Sequence, residues 1–178
     1  MDGYDNLITA PLEQVQAGGV VPAGSARGAL TWVDSGTVQI DDQASDWLGA
    51  PGHTNNTGEL SAMFYALERA GKRPAGVGHE IIHTDSLYAL NMTRGKWMPR
   101  AKGKRNAPLI ERLRKLWRRI QRTRPGEVTL RHVRSHIQVP GNELADWLAE
   151  RGALSRDPTP LDHATSWMRA WLLAISGF

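Results

Sequence analysis

The stretch HEIIHTDSLYALNM, residues 79–92, decides the fold. Its first half, HEIIHT, is short and follows the glycine-rich AGVG, which predicts a strand over residues 79–84. Its second half, DSLYALNM, restarts directly as a helix. Asp85 therefore stands at the carboxyl end of a strand, where open α/β sheets bind their ligands. The alternative is that Asp85 or Ser86 only caps the N-terminus of that helix.

Helices and strands alternate outward from this stretch. Toward the N-terminus, ALTWV (29–33) and TVQI (37–40) predict two strands around a DSG turn, and apolar residues at helical spacing predict a helix over 57–70. Toward the C-terminus, the sequence predicts a helix over 108–122, a strand over 127–133, a helix over 143–153 and a last helix over 163–175. This order indicates a mixed α/β sheet covered by helices.

Composition excludes several classes of protein. The 178 residues, 40% hydrophobic and 22% charged, are enough for one domain with a buried core. Because the chain has no cysteine, disulfide scaffolds, thiolate zinc sites and cysteine nucleophiles are excluded. We find no signal peptide, and the apolar run 167–175 is too short to cross a bilayer, which takes about 20 residues. We therefore expect an intracellular protein without a membrane partner.

The small net charge of +4 conceals a bipolar chain. From Arg94 to Arg134 there are 15 Lys and Arg but only Glu111 and Glu127, a local net charge of +13. The remainder carries 7 basic and 16 acidic residues, a net charge of −9. Clustered cations displace counterions from phosphates, which indicates a nucleic-acid partner, and a merely solvated helix face is an equally good interpretation of the composition alone.

Acidic residues lie where helices meet strands or loops. Glu59 opens a helix in HTNNTGEL one turn before the apolar Met63, so it faces the sheet. An acid there is costly without a cation or partner, and its alternative role is a first-turn carboxylate that complements the helix dipole. Asp146 follows His136 and Asn142 in SHIQVPGNELADWLA. Asn142 and Asp146 share a helix face, which alternatively is only a solvated acidic face.

Three motifs, in this order, resemble those of type 1 ribonucleases H. TNNTGEL is similar to the family's TNN-x-x-EL helix start, HTDSLYAL to its TDS junction, and SHIQVPGNELADWLA to its GH-x5-NE-x-AD-x-LA ending. The segment 94–113 also resembles ribonuclease H domains attached to reverse transcriptases. The resemblance covers Gly28 to Gly152. It implies a mixed five-stranded sheet flanked by helices in a domain over residues 1–152. The weak pattern of residues 1–27 separately predicts an irregular segment with room for one short strand, and the helical spacing of 163–175 predicts a helix in a C-terminal extension over 153–178.

The resemblance also implies an activity, hydrolysis of the RNA strand of RNA/DNA hybrids to 5′-phosphomonoesters. Two Mg²⁺ ions, for which Mn²⁺ can substitute, are the implied cofactors, held about 4 Å apart by carboxylates. The implied metal ligands and catalytic acids are Asp2, Glu59, Asp85 and Asp146, with His136 assisting proton transfer or product release. The residues expected to contact the hybrid are Asn55, Asn56, Trp97, Lys102, Lys104, Arg105 and Asn142.

The first metal ligand departs from the family pattern. That ligand ends the first strand in a DGS or DGA motif, and the nearest match here is Asp2 in MDGYDN, which only Met1 precedes. Asp34 ends a predicted strand but lies only 25 residues before Glu59, and Asp5 matches the motif less well. We therefore predict Asp2 as the ligand and a first strand that is missing or truncated.

Other functions stay open at this point. A nucleic-acid-binding module, for example from a truncated reverse transcriptase, would keep the fold and the basic helix without turnover. An integrase-like or junction-resolving nuclease would share the carboxylates, although TNN and GNELAD favour ribonuclease H. His132 and His136 have the spacing of a helical zinc site, but they lie on a predicted strand and loop without HExxH. Trp117 lies on an apolar helix stripe and is expected in the core.

Overall fold

The structure of the protein is a computed structural model that describes residues 3–4, 10–11, 36–99, 106–134, 142 and 145–149. Its elements are the strands β1 (Gly3–Tyr4), β2 (Ala10–Pro11), β3 (Gly36–Thr37), β4 (Glu80–Thr84) and β5 (Val128–His132), and the helices α1 (Asn55–Lys72), α2 (Leu87–Arg94) and α3 (Ala107–Thr123). Residues 142 and 145–149 are also helical. In the described part of the chain, no helix is long and apolar enough to cross a membrane.

A three-stranded mixed sheet in the order β2-β4-β5 organises the fold. β4 and β5 are parallel and pair along their whole length, from Glu80 with Val128 to Thr84 with His132. β2 pairs antiparallel with the start of β4, and β1 pairs antiparallel with β3 in a separate two-stranded sheet. The mixed α/β class is therefore confirmed, whereas a single five-stranded sheet stays a prediction.

The core lies between this sheet and the helices. On one face of the sheet, Ile82, Val128 and Leu130 are buried and join the core cluster. From α3, the cluster takes the predicted apolar stripe, Leu109, Leu113, Leu116 and Ile120. On the opposite face, the paired His83 and Arg131 are exposed. The apolar face that β4 and β5 share and the stripe on α3 therefore meet in one core, and Ile81 is buried on the other face of β4 as well.

The amino end of the parallel strands is closed by buried ion pairs. Glu80, the first residue of β4, is 3% exposed, and its carboxylate meets Arg73 and Arg124. Arg124, 2% exposed, also donates to the backbone oxygens of Ala70 and Gly78 and binds Glu127 at 3.0 Å. One arginine thereby ties the end of α1 to the start of both parallel strands.

The structure differs from the sequence-based expectation at the N-terminal strands. The predicted strand over 37–40 is wrong beyond Thr37, because Val38 is buried and its carbonyl bonds the ring of His53 at 3.0 Å instead of a neighbouring strand. The segment 1–27, predicted to be a loop with room for one short strand, contains two short strands, β1 and β2. The predicted strand at 29–33 and the predicted last helix at 163–175 lie outside the described residues.

Candidate active site

Helix α1 begins two residues earlier than predicted, and this changes the role of Glu59. Thr54 is the N-cap and forms a capping box with Thr57, which satisfies the first free N–H groups of the helix. The helix starts at Asn55, so Glu59 lies in the second turn. The alternative of a first-turn carboxylate is therefore wrong, and the expectation that Glu59 faces the sheet is confirmed by its contact with Ser86.

The junction between β4 and α2 is held by Ser86 and not by Asp85. Ser86 is the N-cap of α2, and its hydroxyl oxygen accepts from the backbone N–H of Ala89 at 2.9 Å. The same hydroxyl donates to Oε2 of Glu59. Because one side chain both starts α2 and meets Glu59, the carboxylate of Asp85 is left available for other contacts.

The carboxylate of Glu59 lies in a costly place for a negative charge. Burial raises its pKa above the ordinary value of 4.5, and the charge of the neighbouring Asp85 raises it further, while the Ser86 hydroxyl works in the opposite direction. Asn55 donates to the other carboxylate oxygen at 3.1 Å. In the described residues, no lysine or arginine forms an ion pair with Glu59 or Asp85. In this part of the chain, Glu59 and Asp85 are therefore neighbouring carboxylates, and the hydrogen-bond donors that meet Glu59 are neutral.

Asp85 is contacted by the end of β5 and by the last motif. The side-chain amide of Asn142 donates to its Oδ2 at 3.2 Å, across 57 residues of sequence. A ring nitrogen of His132, the last residue of β5, lies 3.1 Å from its backbone oxygen. Asp146 lies one turn after Asn142, and its Oδ2 is buried. The last motif is therefore brought to the end of β4, as the sequence predicts.

The donor set suits a hard divalent cation. Glu59, Asp85 and Asn142 offer only oxygen ligands, which Mg²⁺ prefers, and a cation would offset the repulsion that raises the pKa of Glu59. Among the residues that the structure describes, however, no three His, Asp or Glu side chains lie close enough together to hold a metal ion. Glu59 and Asp85 form a pair, and the predicted convergence of Asp146 with them is not observed.

The other predicted residues have separate outcomes. Asn55 contacts Glu59, Asn56 is exposed at the start of α1, and Trp97 is 46% exposed beyond the end of α2. Trp117 packs against the core, which confirms its expected place. The remaining predicted residues, Asp2, Lys102, Lys104, Arg105 and His136, lie outside the described residues.

Two contacts at this site were not predicted from the sequence. Ser86 was considered only as a helix cap, and His132 only as half of a zinc pair. The one available signal was their position beside the ends of neighbouring strands.

The sequence of this chain is similar to those of known proteins. The sequence profile of the RNase H family matches residues 24–154, more than half of the chain, a range that includes Glu59, Asp85 and Asp146 but not Asp2. A protein named Ribonuclease H from Cupriavidus necator is 37% identical over 111 residues, covering 60% of this chain and 73% of the relative. One of the same name from Stutzerimonas stutzeri is 35% identical over 119 residues, covering 65% and 76%. No solved structure matches the chain. With the motifs assembled at the end of β4, the extent of this match shows that the chain belongs to the ribonuclease H family.

Proposed function

We propose that this protein is an endonuclease that hydrolyses the RNA strand of RNA/DNA hybrids with two bound Mg²⁺ ions, leaving 5′-phosphomonoesters. The observation that carries the proposal is the arrangement after β4, where Ser86 donates to Glu59 and Asn142 donates to the adjacent Asp85. Among the described residues, neither carboxylate forms an ion pair with a Lys or Arg. The name shared by the relatives supports the substrate class. Membership in a larger reverse transcriptase stays a prediction.

Glu59, Asp85, Asp146 and Asp2 would hold the metal ions. Bound Mg²⁺ would supply an activated water and stabilise the leaving oxygen. Within the chain, Ser86 and Asn55 orient Glu59, and Asn142 orients Asp85, so both carboxylates are fixed before substrate arrives. We assign His136 to proton transfer or product release.

The hybrid would contact residues of α1 and residues of the segment that follows α2. Asn56, exposed at the start of α1, can reach the minor groove, where 2′-hydroxyls distinguish RNA from DNA. Trp97 offers an exposed ring for stacking. Lys102, Lys104 and Arg105 would contact phosphates. These roles follow from the side-chain chemistry and from the position of each residue beside a motif.

Cleavage of labelled RNA/DNA hybrid, duplex DNA and duplex RNA, each with Mg²⁺, Mn²⁺ or EDTA, tests the proposal. We expect metal-dependent cleavage of the hybrid's RNA strand alone. Asp85→Asn should lower the rate by roughly a thousandfold, since loss of a metal ligand removes several kcal/mol of transition-state stabilisation. Asp42→Asn, on an exposed turn, is the matched control and should cleave normally.

A second outcome would favour the non-enzymatic alternative. That alternative is a nucleic-acid-binding module that lacks turnover, and it is favoured by one observation, the absence of three converging metal ligands among the described residues. If the wild-type protein binds hybrid but does not cleave it with either metal, the nuclease proposal is wrong.

A further inference from the structure

A basic cleft lies between the end of α2, the second half of α3 and the edge strand β5. Its volume is about 540 Å³. The lining consists of four cations, one aromatic ring and one amide: Arg94, Lys115, Arg118, Arg122, Trp117 and Gln121. Lys115, Arg118 and Arg122 are exposed, whereas Trp117 is partly buried against the core and gives the cleft an apolar wall.

The cleft is anchored to β5 and lies away from the carboxylate pair. Arg94 donates to the backbone oxygen of Leu130, and Gln121 donates to that of Val128 at 3.3 Å. Val128 pairs with Glu80 at the start of β4, whereas Asp85 follows the last residue of that strand. At about 3.3 Å per strand residue, the five residues from Glu80 to Asp85 place these two levels of the sheet roughly 16 Å apart. The Leu130 anchor pairs with Ile82 and lies roughly 10 Å from the level of Asp85.

Folding does not account for so many cations on one surface. Arg118 and Arg122 are four residues apart on α3, as are Arg114 and Arg118, and each such like-charge pair costs a few tenths of a kcal/mol. Within the described ranges, none of the four cleft cations forms an ion pair with a carboxylate. An external anion would offset this repulsion.

From this geometry we infer that the cleft binds the phosphodiester backbone of a nucleic acid at a site separate from the carboxylate pair. Lys115 to Arg122 spans seven residues of α3, or about 10 Å at 1.5 Å per residue. One strand of a duplex carries a phosphate about every 3.4 Å along the axis, so this span covers several phosphates and not one. The inference rests on the proposed function only for the identity of the polyanion.

Fluorescence anisotropy of labelled RNA/DNA hybrid and duplex DNA, measured in EDTA over a salt series, tests this site. The test variant is Lys115→Gln/Arg122→Gln, since neither residue has a structural partner in the described part of the chain. The control is Lys72→Gln/Arg119→Gln, which removes the same charge from the end of α1 and from the flank of α3 nearest Gly71.

The test variant should lose about 1.8 from the slope of log affinity against log salt, because each phosphate contact contributes about 0.9. At 0.1 M salt we expect its affinity to fall roughly tenfold or more, while the control stays near wild type. Equal losses in the two variants would show only a general effect of charge and would overturn the site. So would binding of anionic phospholipid vesicles in place of either nucleic acid.

The same measurements separate this inference from the proposed nuclease activity. In EDTA no metal-dependent cleavage occurs, so the cleft is measured by binding alone. If the test variant binds more weakly than the control but the wild type never cleaves hybrid, the nuclease proposal is wrong and the binding site in the cleft is supported. If hybrid is cleaved but the test and control variants bind alike, the binding site in the cleft is wrong and the nuclease proposal is supported.

Discussion

The two ends of β4 place carboxylates in opposite electrostatic surroundings. At the amino end, Glu80 is almost fully buried and meets two arginines, one of them itself buried. At the carboxyl end, the charge of Asp85 disfavours that of Glu59, and within the described ranges the side chains that donate to these carboxylates are neutral. The amino end therefore supplies its own countercharge and fixes the fold, whereas the described residues supply none at the carboxyl end, which suits a cation from outside.

Arg124→Met should give the largest change in stability, because it leaves Glu80 buried and without its buried partner. We expect the free energy of unfolding to fall by roughly 3–5 kcal/mol, measured by urea denaturation. The control, Arg122→Met, changes an exposed residue of the same helix and should alter stability by no more than about 0.5 kcal/mol. Similar midpoints for the two variants would show that the amino end is not held by this ion pair.

Glu59→Gln, near the carboxyl end of β4, should not lower the stability of the fold, in contrast to Arg124→Met at the amino end. Because the pKa of Glu59 is raised in the folded state, the wild type loses stability as pH rises through that value, and the variant escapes this loss. In EDTA at pH 8, the variant should therefore melt at or above the wild-type temperature.

Mg²⁺ provides the second part of this test. Wild type should gain about 2.7 kcal/mol when Mg²⁺ is at a hundred times its Kd, and Glu59→Gln should gain far less. Glu68→Gln, an exposed position of the same helix, should keep the full gain. An unchanged Mg²⁺ response in Glu59→Gln would remove Glu59 from the proposed metal site.

Ser86→Ala should cost about 1 kcal/mol through loss of the α2 cap. Its cost should be larger at pH 8 than at pH 4, since the lost hydroxyl also stabilises the ionised form of Glu59. Thr54→Ala removes the α1 cap and is the matched comparison, with a cost that should not depend on pH. Thermal unfolding at both pH values measures the difference. Identical pH dependence in the two variants would contradict the link between Ser86 and Glu59.

Glu127→Gln should have the smallest effect, and the loss of stability should disappear at low pH. A backbone hydrogen bond from Gly76 and contacts with Arg124 lower the pKa of Glu127 below 4.5. Its contribution to stability is therefore present above pH 4.5 and is lost as pH falls through the lowered value. In urea denaturation at pH 7 and pH 3, the wild type should have a higher free energy of unfolding than the variant only at pH 7. Glu111→Gln, exposed on α3, should show no such difference.

Local patterns predicted the long elements closely. The apolar stripe of α3 predicted a helix over 108–122, and the observed helix is Ala107–Thr123. The short segment HEIIHT after AGVG predicted β4 with an error of one residue, since the strand begins at Glu80. The strand over 37–40 failed beyond Thr37, because the bond between Val38 and His53 depends on a residue 15 positions away.

The candidate site was predicted in part for the same reason. Asp85 and Glu59 stood out because each lies at a junction whose position follows from local periodicity. The buried arginine at the amino end was not predicted, because in sequence Arg124 is one of many cations in a basic segment. Its partner, Glu80, lies 44 residues away.

By itself, the sequence determined the order of helices and strands, the apolar faces and the motifs of the ribonuclease H family. These features depend on residues that are close to one another in the sequence. Only the tertiary structure decided which carboxylates form an ion pair with a basic side chain of the same protein. Glu80 meets Arg124, and Asp85 meets the uncharged amide of Asn142. Each of these contacts joins residues more than forty positions apart. Because burial raises the free-energy cost of an unpaired charge, the partner that each carboxylate meets affects the stability of the fold.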